Sequence, residues 1–379
     1  MLLEFGAYNF SSFKEGFEVN LRLDGNCPPE ISNGETYVNL LAIKGANASG
    51  KTNVLKVYSF LSHFACHSFE AYKPDDELSI DSFFHNENEI ELYAIFSHKN
   101  KEYEYRIIIN DRKIAEEHLL INGKEVLTRE YNKLVISPEF EELRTMPVSR
   151  NNASMISLAK QFGFESINTV YELFIKNYSN VTYEGFNAET FDYKTATQHY
   201  HQEEKNLEFA IDFLKKADTG IDGIFIDDSE LDSEKNPILK PIFTYIVDEK
   251  IESLEYGQQS NGTKLLYNLL GLFGLVLTSG GVIVFDELDS HLHADLFKEL
   301  IGLFNNKELN VGGAQLIFTA HNEDIIDKMK KYRLVFVNKE ENESFLYRLD
   351  EAGEKIRNDR SIKPLYDSGA LGGKPKLSF

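Results

Sequence analysis

The chain has 379 residues, 42% of them hydrophobic, enough for one large or two ordinary domains with a buried core, and unlike the composition of a disordered tail. Forty basic against 61 acidic side chains give a formal charge of −21. That balance favours solubility and works against general attraction to nucleic acid, so DNA or RNA would need a local basic patch or a partner.

The first 45 residues read as β structure. "LLEFGAYNF", "FEVNLRL" and "VNLLAIKG" are short aliphatic and aromatic runs between Gly, Asn and Pro turns. Val54, Leu55, Tyr58, Leu61 and Ala65 repeat at helical spacing and predict a helix from Lys51 to about His67. Strand-like alternation returns in "IELYAIFSH", "EYEYRIIIN" and "KIAEEHLLING", where Asn122-Gly123 is a strong hairpin turn. From about 149 to 240 the character is helical, with "SINTVYELFIKNY" and "EEKNLEFAIDFLKKA", and this stretch predicts an inserted helical subdomain. It carries no sustained heptads, which weighs against a long coiled-coil arm. β structure resumes at "PIFTYIVDEKIESLEYG". An α/β alternation follows: helix 261–278, strand "GGVIVFDE", helix 293–305, strand "AQLIFTAH", a helix from Glu323, then strands "RLVFVN" and "SFLYRLD". The expected domains are therefore 1–148, 149–240 and 241–379.

No apolar run reaches the roughly 18 to 20 residues that span a bilayer. The N-terminus lacks the basic and long apolar regions of a secretory signal, and two cysteines, Cys27 and Cys66, suit a reducing compartment. The expected location is the cytoplasm, without membrane attachment.

Three stretches carry chemistry. "GANASGKT", Gly45 to Thr52, matches G-x-x-x-x-G-K-[ST], preceded by an apolar strand and followed by a helix. Glycines let successive backbone N–H groups turn inward around phosphate oxygens, Lys51 would reach the β- and γ-phosphates, and the Thr52 hydroxyl would coordinate Mg²⁺. The competing reading is a chance match in a Gly-rich turn, and the flanking elements weigh against it. "VIVFDE", 282–287, is a buried strand ending in two carboxylates, so that Asp286 can enter the Mg²⁺ shell while Glu287 polarises the attacking water. Alone, it could equally be an acidic strand end of no consequence. "LIFTAH" closes on His321, thirty-four positions after Glu287, where an imidazole can meet a γ-phosphate and a water or simply cap the next helix.

In this order, with "QQSNGTK" at 258–264 supplying a Ser-x-Gly-Thr turn and "LDS" at 288–290, these segments resemble ABC-type ATPase heads. More narrowly, the opening "FGAYNFSSFKEGFEVNL", the "DELDSHLH" and "IFTAHNEDII" segments and the ending "IRNDRSIKPLYDSGALGGKPKL" resemble SMC-related bacterial AAA-family ATPases of anti-phage and abortive-infection systems, including the overcoming-lysogenisation-like group. The resemblance implies an α/β P-loop NTPase of ABC-ATPase-head type, a mixed sheet plus an antiparallel β subdomain, with an inserted helical subdomain. It implies ATP and Mg²⁺ as ligands. Gly45, Asn47, Ser49, Gly50, Lys51, Thr52 and Asn53 would hold nucleotide, with Thr52 and Asp286 at the metal and Lys51, Glu287 and His321 in hydrolysis. Ser260, Gly262 and Thr263 would reach the ATP of a second copy, with Asp289 linking the two sites, so that the working unit is a homodimer or a larger assembly.

The turn reads "QQSNGTK" where transporter heads carry L-S-G-G-Q. The 209 positions between Lys51 and Ser260 are too many for a transporter head and too few for an SMC protein with its arms. The Q-loop has no clear match; "SIDSFF", 79–84, is the segment where it is sought, though it contains no Gln. The expected role is an ATP-driven sensor and regulator of a separate effector, a nuclease or other toxin, in anti-phage defence. The alternatives are an SMC-like DNA-maintenance ATPase, a stand-alone nuclease using 110–250, and, last, a transporter head. His63, Cys66 and His67 share a helix face with metal-ligand spacing but read as packing. His199 and His201 read as a polar loop. His291 and His293 follow Asp289, and the resemblance places His293 near the nucleotide or the dimer contact. The cations Lys355, Arg357, Arg360, Lys363, Lys374 and Lys376 read as a solvated tail.

Overall fold

The computed structural model of the chain describes residues 1–131, 133–146, 150–187, 191–217, 219–352, 356–357 and 360–374. Its contacts divide it into two compact units, one of 1–186, 281–288 and 315–379, the other of 187–280 and 289–314.

The first unit is built on a six-stranded sheet. Asn177–Ser179, Val282–Phe285, Gln315–Thr319, Leu40–Gly45 and Leu334–Glu340 lie side by side in parallel, and Glu343–Arg348 closes one edge antiparallel. Every residue of Val282–Phe285 and of Gln315–Thr319 is buried, which explains why both read as continuous apolar runs without alternation. The parallel order carries the carboxyl ends of three strands, at 45, 285 and 319, to the same end of the sheet.

A second, seven-stranded antiparallel sheet orders Phe17–Asn20, Leu2–Tyr8, Ile90–His98, Lys101–Asn110, Lys113–Ile121, Lys124–Glu130 and Lys133–Ile136. Here one face is buried and the other half-exposed, so Ile90–His98 alternates inside and outside along its length. Asn122 and Gly123 take φ of 52° and 75°, the paired left-handed conformation that a two-residue hairpin turn needs.

The helix Lys51–Ala71 joins the two sheets into one core. Twelve of its 21 residues are buried, more than a single amphipathic stripe holds, and Tyr58 packs its ring against Phe5 and Phe96 of the antiparallel sheet. Met155–Gln161 and Asn168–Ile175 pack on the same helix and belong to this unit. The segment expected as an insert from 149 is thus shared between the units, with the division at 186/187; residues 148 and 149 lie outside those described.

In the second unit the helix Asn261–Ser279 packs against Tyr193–Gln202 and Glu204–Lys216. Thr197 Oγ1 lies 2.9 Å from the Tyr267 hydroxyl, and the Tyr200 hydroxyl donates to the Tyr267 carbonyl at 2.7 Å. Gly271 permits that approach: a Cβ there would stand 3.1 Å from the Ala196 Cβ. A three-stranded antiparallel sheet, Gly223–Asp227, Lys240–Val247 and Lys250–Glu255, completes the unit.

The expected α/β class with a mixed sheet and an antiparallel β subdomain is therefore observed. Among the described residues no helix is long and apolar enough to cross a membrane.

Candidate functional site

The P-loop leaves the strand Leu40–Gly45 and enters the helix Lys51–Ala71. Ala48 sits at φ 61° and Gly50 at φ 112°, so the backbone turns left-handed on either side of Ser49. For Gly50 that costs nothing, whereas Ala48 pays for its Cβ. A Cβ on Gly45 would meet Ser49 Oγ and the Val337 carbonyl, each at 2.5 Å. The loop is thus a cradle that only glycine closes this tightly.

Asn47 and Ala48 are exposed, while Ser49 is buried and its Oγ has no hydrogen-bond partner. No side chain caps the helix start at Gly50, so its first N–H groups remain available to an anion. Behind the loop, Ser344 Oγ donates to the Ser49 carbonyl at 2.7 Å and lies 2.8 Å from Ser12 Oγ, to which Asn53 Nδ2 donates at 3.0 Å.

Lys51 is buried, and its Nζ donates to the Gly45 and Ala46 carbonyls at 3.0 Å each. Burial pushes its pKa down, and the nearby carboxylates of Asp286 and Glu287 pull it partly back. A partly desolvated ammonium resting on its own loop's carbonyls is a cation ready for a phosphate.

Asp286 and Glu287 follow the strand Val282–Phe285. Thr52 Oγ1 donates to Asp286 Oδ2 at 2.6 Å, and Thr319 Oγ1 donates to Asp286 Oδ1. Glu287 has φ 54°, an uncommon conformation for a residue with a side chain, held because its N–H donates to Thr319 Oγ1 at 2.8 Å and the Leu288 N–H to the Thr319 carbonyl at 3.1 Å. The turn separates the two carboxylates: Asp286 is buried at 4% exposure, whereas Glu287 is exposed. His321, just beyond the strand Gln315–Thr319, places Nε2 3.4 Å from Glu287 Oε1 and is likewise exposed. It does not cap a helix, because the next one begins only at Ile325.

Lys51, Thr52, Asp286, Glu287 and His321 are thus brought together at one end of one sheet. A hydroxyl and a carboxylate within hydrogen-bond distance are hard oxygen donors of the kind Mg²⁺ takes, and the glycine cradle, the uncapped helix start, the unpartnered Ser49 Oγ and Lys51 fit a polyphosphate. Two contributors were not legible in the sequence. One is Thr319, which bridges Asp286 and Glu287. The other is Asn180, 2% exposed, whose Oδ1 accepts from the Asp286 N–H at 2.7 Å while its Nδ2 donates to the Asp286 carbonyl at 3.0 Å. Asn180 follows the strand Asn177–Ser179, which flanks Val282–Phe285. The loop that leaves the sheet beside the site therefore starts at Asn180, and not at 79–84; there Asp81 instead accepts from Arg112, and its carbonyl from the Ser11 N–H.

The Ser-x-Gly-Thr turn belongs to the second unit. Ser260 caps the helix Asn261–Ser279, its Oγ accepting from the Thr263 N–H at 3.2 Å and lying 2.9 Å from Thr263 Oγ1. A Cβ on Gly262 would stand 3.3 Å from the His291 carbonyl. His291 itself has φ 66°, in the turn where the Leu292 N–H donates to the Asp289 carbonyl. His293 caps the helix Ala294–Gly302, accepting from the Asp295 N–H.

The remaining candidates have structural explanations. Cys66 is buried, with burial pushing its thiol pKa up to about 12, and its Sγ points to the Tyr171 carbonyl. His199 and His201 lie on the helix Tyr193–Gln202 and not in a loop. Among the described residues no group of three His, Cys, Asp or Glu side chains could hold a metal. Lys363 pairs with Asp324 at 2.5 Å and Lys374 with Asp367 at 3.1 Å; Lys355 and Lys376 lie outside the described residues.

No curated protein matches the chain. Among solved structures it is similar to the SMC head domain from Thermotoga maritima (15% identity, 92% of this chain and 98% of that one, TM-score 0.48). It is also similar to the Smc head domain with an extended coiled coil bound to the C-terminal domain of ScpA, from Pyrococcus furiosus (14%, 93% and 97%, TM-score 0.48). A third is the Smc head domain with a coiled coil and joint from Pyrococcus yayanosii (11%, 97% and 99%, TM-score 0.48). A family model described as "AAA domain, putative AbiEii toxin, Type IV TA system" matches residues 40–327, a span that runs from the P-loop strand past Asp286, Glu287 and His321 and covers well over half of the chain. The chain belongs to that family of AAA domains.

Proposed function

We propose that this protein is a Mg²⁺-dependent ATPase that dimerises around ATP and uses the cycle to regulate a separate effector, a nuclease or other toxin, in anti-phage defence. The Thr52–Asp286 contact carries the ATPase reading, because it fixes a P-loop hydroxyl and a strand-end carboxylate on one point with Lys51, Glu287 and His321 around it. Thr52 and Asp286 would hold Mg²⁺, which when bound neutralises charge on the β- and γ-phosphate oxygens.

Gly45, Asn47, Ser49, Gly50 and Asn53 cradle the polyphosphate, and Lys51 leaves its carbonyl partners for the phosphates. Glu287, exposed and so open to water, takes the proton as the water oxygen bonds to the γ-phosphorus and the bond to the β–γ bridging oxygen breaks. His321 orients that water and steadies Glu287. Ser260, Gly262 and Thr263, at an exposed helix start, meet the γ-phosphate held by a second copy, and Asp289 links the two sites. Loss of the γ-phosphate then opens the dimer, a switch that an effector can sense.

Glu287→Gln keeps the shape of the site but removes the base. It is expected to abolish hydrolysis and to trap an ATP-bound dimer visible by size-exclusion chromatography with light scattering. A variant that binds ATP and stays strictly monomeric sinks the sandwich. The regulatory reading is tested by co-purifying the protein with the product of its neighbouring gene and assaying nucleic-acid cleavage with and without ATP; cleavage by this chain alone would favour the stand-alone nuclease.

A further inference from the structure

The residue before the P-loop is a lysine, Lys44, on a strand whose other residues from Leu40 to Ile43 are apolar. It is 2% exposed. A buried ammonium is costly unless its three N–H donors are met. Here they are met by three consecutive backbone carbonyls: Ala320 at 2.7 Å, His321 at 3.1 Å and Asn322 at 3.0 Å. The strand Leu40–Gly45 runs parallel to Gln315–Thr319, with Ile43 in register with Thr319, so Lys44 lies level with the first residue beyond that strand. Its side chain turns the end of the strand around a single positive charge.

We propose that Lys44 is a positioning residue for His321: by gathering the carbonyls on either side of the imidazole's own backbone, it fixes the turn that holds Nε2 3.4 Å from Glu287 Oε1. The imidazole is itself exposed, with 53% of the side chain accessible, and charge-assisted hydrogen bonds to the backbone that carries it are strong enough to restrain that turn. Lys44 thereby joins the two ends of the site through one side chain, since Gly45 of the phosphate cradle is its immediate neighbour. A nucleotide that shifts the cradle shifts the anchor of His321.

This inference rests on the ATPase reading above, and the test separates the two. In Lys44→Met, kcat for ATP is expected to fall roughly 10- to 100-fold with KM within about twofold, as for a misplaced catalytic group. Lys44→Met combined with His321→Ala should be no slower than His321→Ala alone, because the lysine acts only through that histidine. Lys44→Arg keeps a buried cation, but its planar fork cannot meet three carbonyls that converge on one point. It should lose several-fold in kcat at constant KM, and it serves as the test if the Met variant does not fold. A raised KM with unchanged kcat would place the ammonium on the nucleotide and overturn the proposal, as would additive losses in the double variant. Should the wild-type chain not hydrolyse ATP, the ATPase reading fails while the positioning claim stays testable: the His321 imidazole NMR resonance, assigned by its loss in His321→Ala, must move in the Lys44 variants. An unmoved resonance overturns it.

Discussion

Asn180→Ala isolates a contact that touches no ligand. Asn180 makes two hydrogen bonds to the backbone of Asp286, accepting from its N–H at 2.7 Å and donating to its carbonyl at 3.0 Å, at 2% exposure. Truncation leaves one buried donor and one buried acceptor unpaired, at about 1 to 3 kcal/mol each, and water entering the vacated space recovers part of that. The expected loss is about 2 to 4 kcal/mol. The same two bonds fix the peptide that aims the Asp286 carboxylate at Thr52, so the Mg²⁺ concentration needed for half-maximal hydrolysis should rise by about tenfold or more, as for other residues that orient a metal ligand. The chain has no tryptophan, so urea unfolding is best followed by far-UV circular dichroism, together with a Mg²⁺ titration of ATPase rate. Asn180→Asp keeps the acceptor but turns a carboxylate oxygen toward the Asp286 carbonyl; it should cost at least as much at neutral pH and recover as the pH falls, since protonation restores a donor. An alanine variant within about 0.5 kcal/mol of wild type and with unchanged Mg²⁺ dependence would refute the reasoning.

Two further outcomes follow from buried charge. Burial holds the Lys51 pKa below its usual value, and a bound phosphate should raise it again, so the bound state carries more protons. ATP affinity is then expected to fall as the pH rises through the lowered pKa of the free protein, with proton uptake on binding measurable by calorimetry in buffers of different ionisation enthalpy. Absence of any uptake up to pH about 10.5, the ordinary lysine range, contradicts this. In the antiparallel sheet, Glu117 and Arg129 are fully buried with Nη2 and Oε2 2.9 Å apart, and Glu117 also accepts from the Tyr105 hydroxyl and the Met155 N–H, each at 2.8 Å. Glu117→Gln leaves the guanidinium unpaired and should cost about 3 to 5 kcal/mol in chemical denaturation; a change below about 1 kcal/mol would show that the pair is not desolvated.

How much of this could be read from the sequence depends on the range of the interaction. The glycine cradle was legible because its glycines, Lys51 and Thr52 lie within eight consecutive residues and its shape follows from backbone geometry. The cap at Ser260 is equally local, since its acceptor serves an N–H three residues away. Asp286 and Glu287 could be recognised as a pair, but not that one is buried and the other exposed: that depends on the left-handed turn at Glu287, held by Thr319 from a neighbouring strand. Asn180 was invisible because its partner lies 106 positions away and its strand, Asn177–Ser179, has three half-buried residues and no apolar run. Which strand flanks Val282–Phe285 is decided by parallel pairing and is not readable from sequence order. Lys44 is the sharpest instance. In the sequence it interrupts an apolar strand and looks like a residue bound for solvent, yet three carbonyls just past the end of a strand more than 270 positions away make burial tolerable. Local rules placed the glycine cradle, Lys51 and the strand-end carboxylates, and the neighbouring strands, chosen by topology, supply the groups that hold them in place.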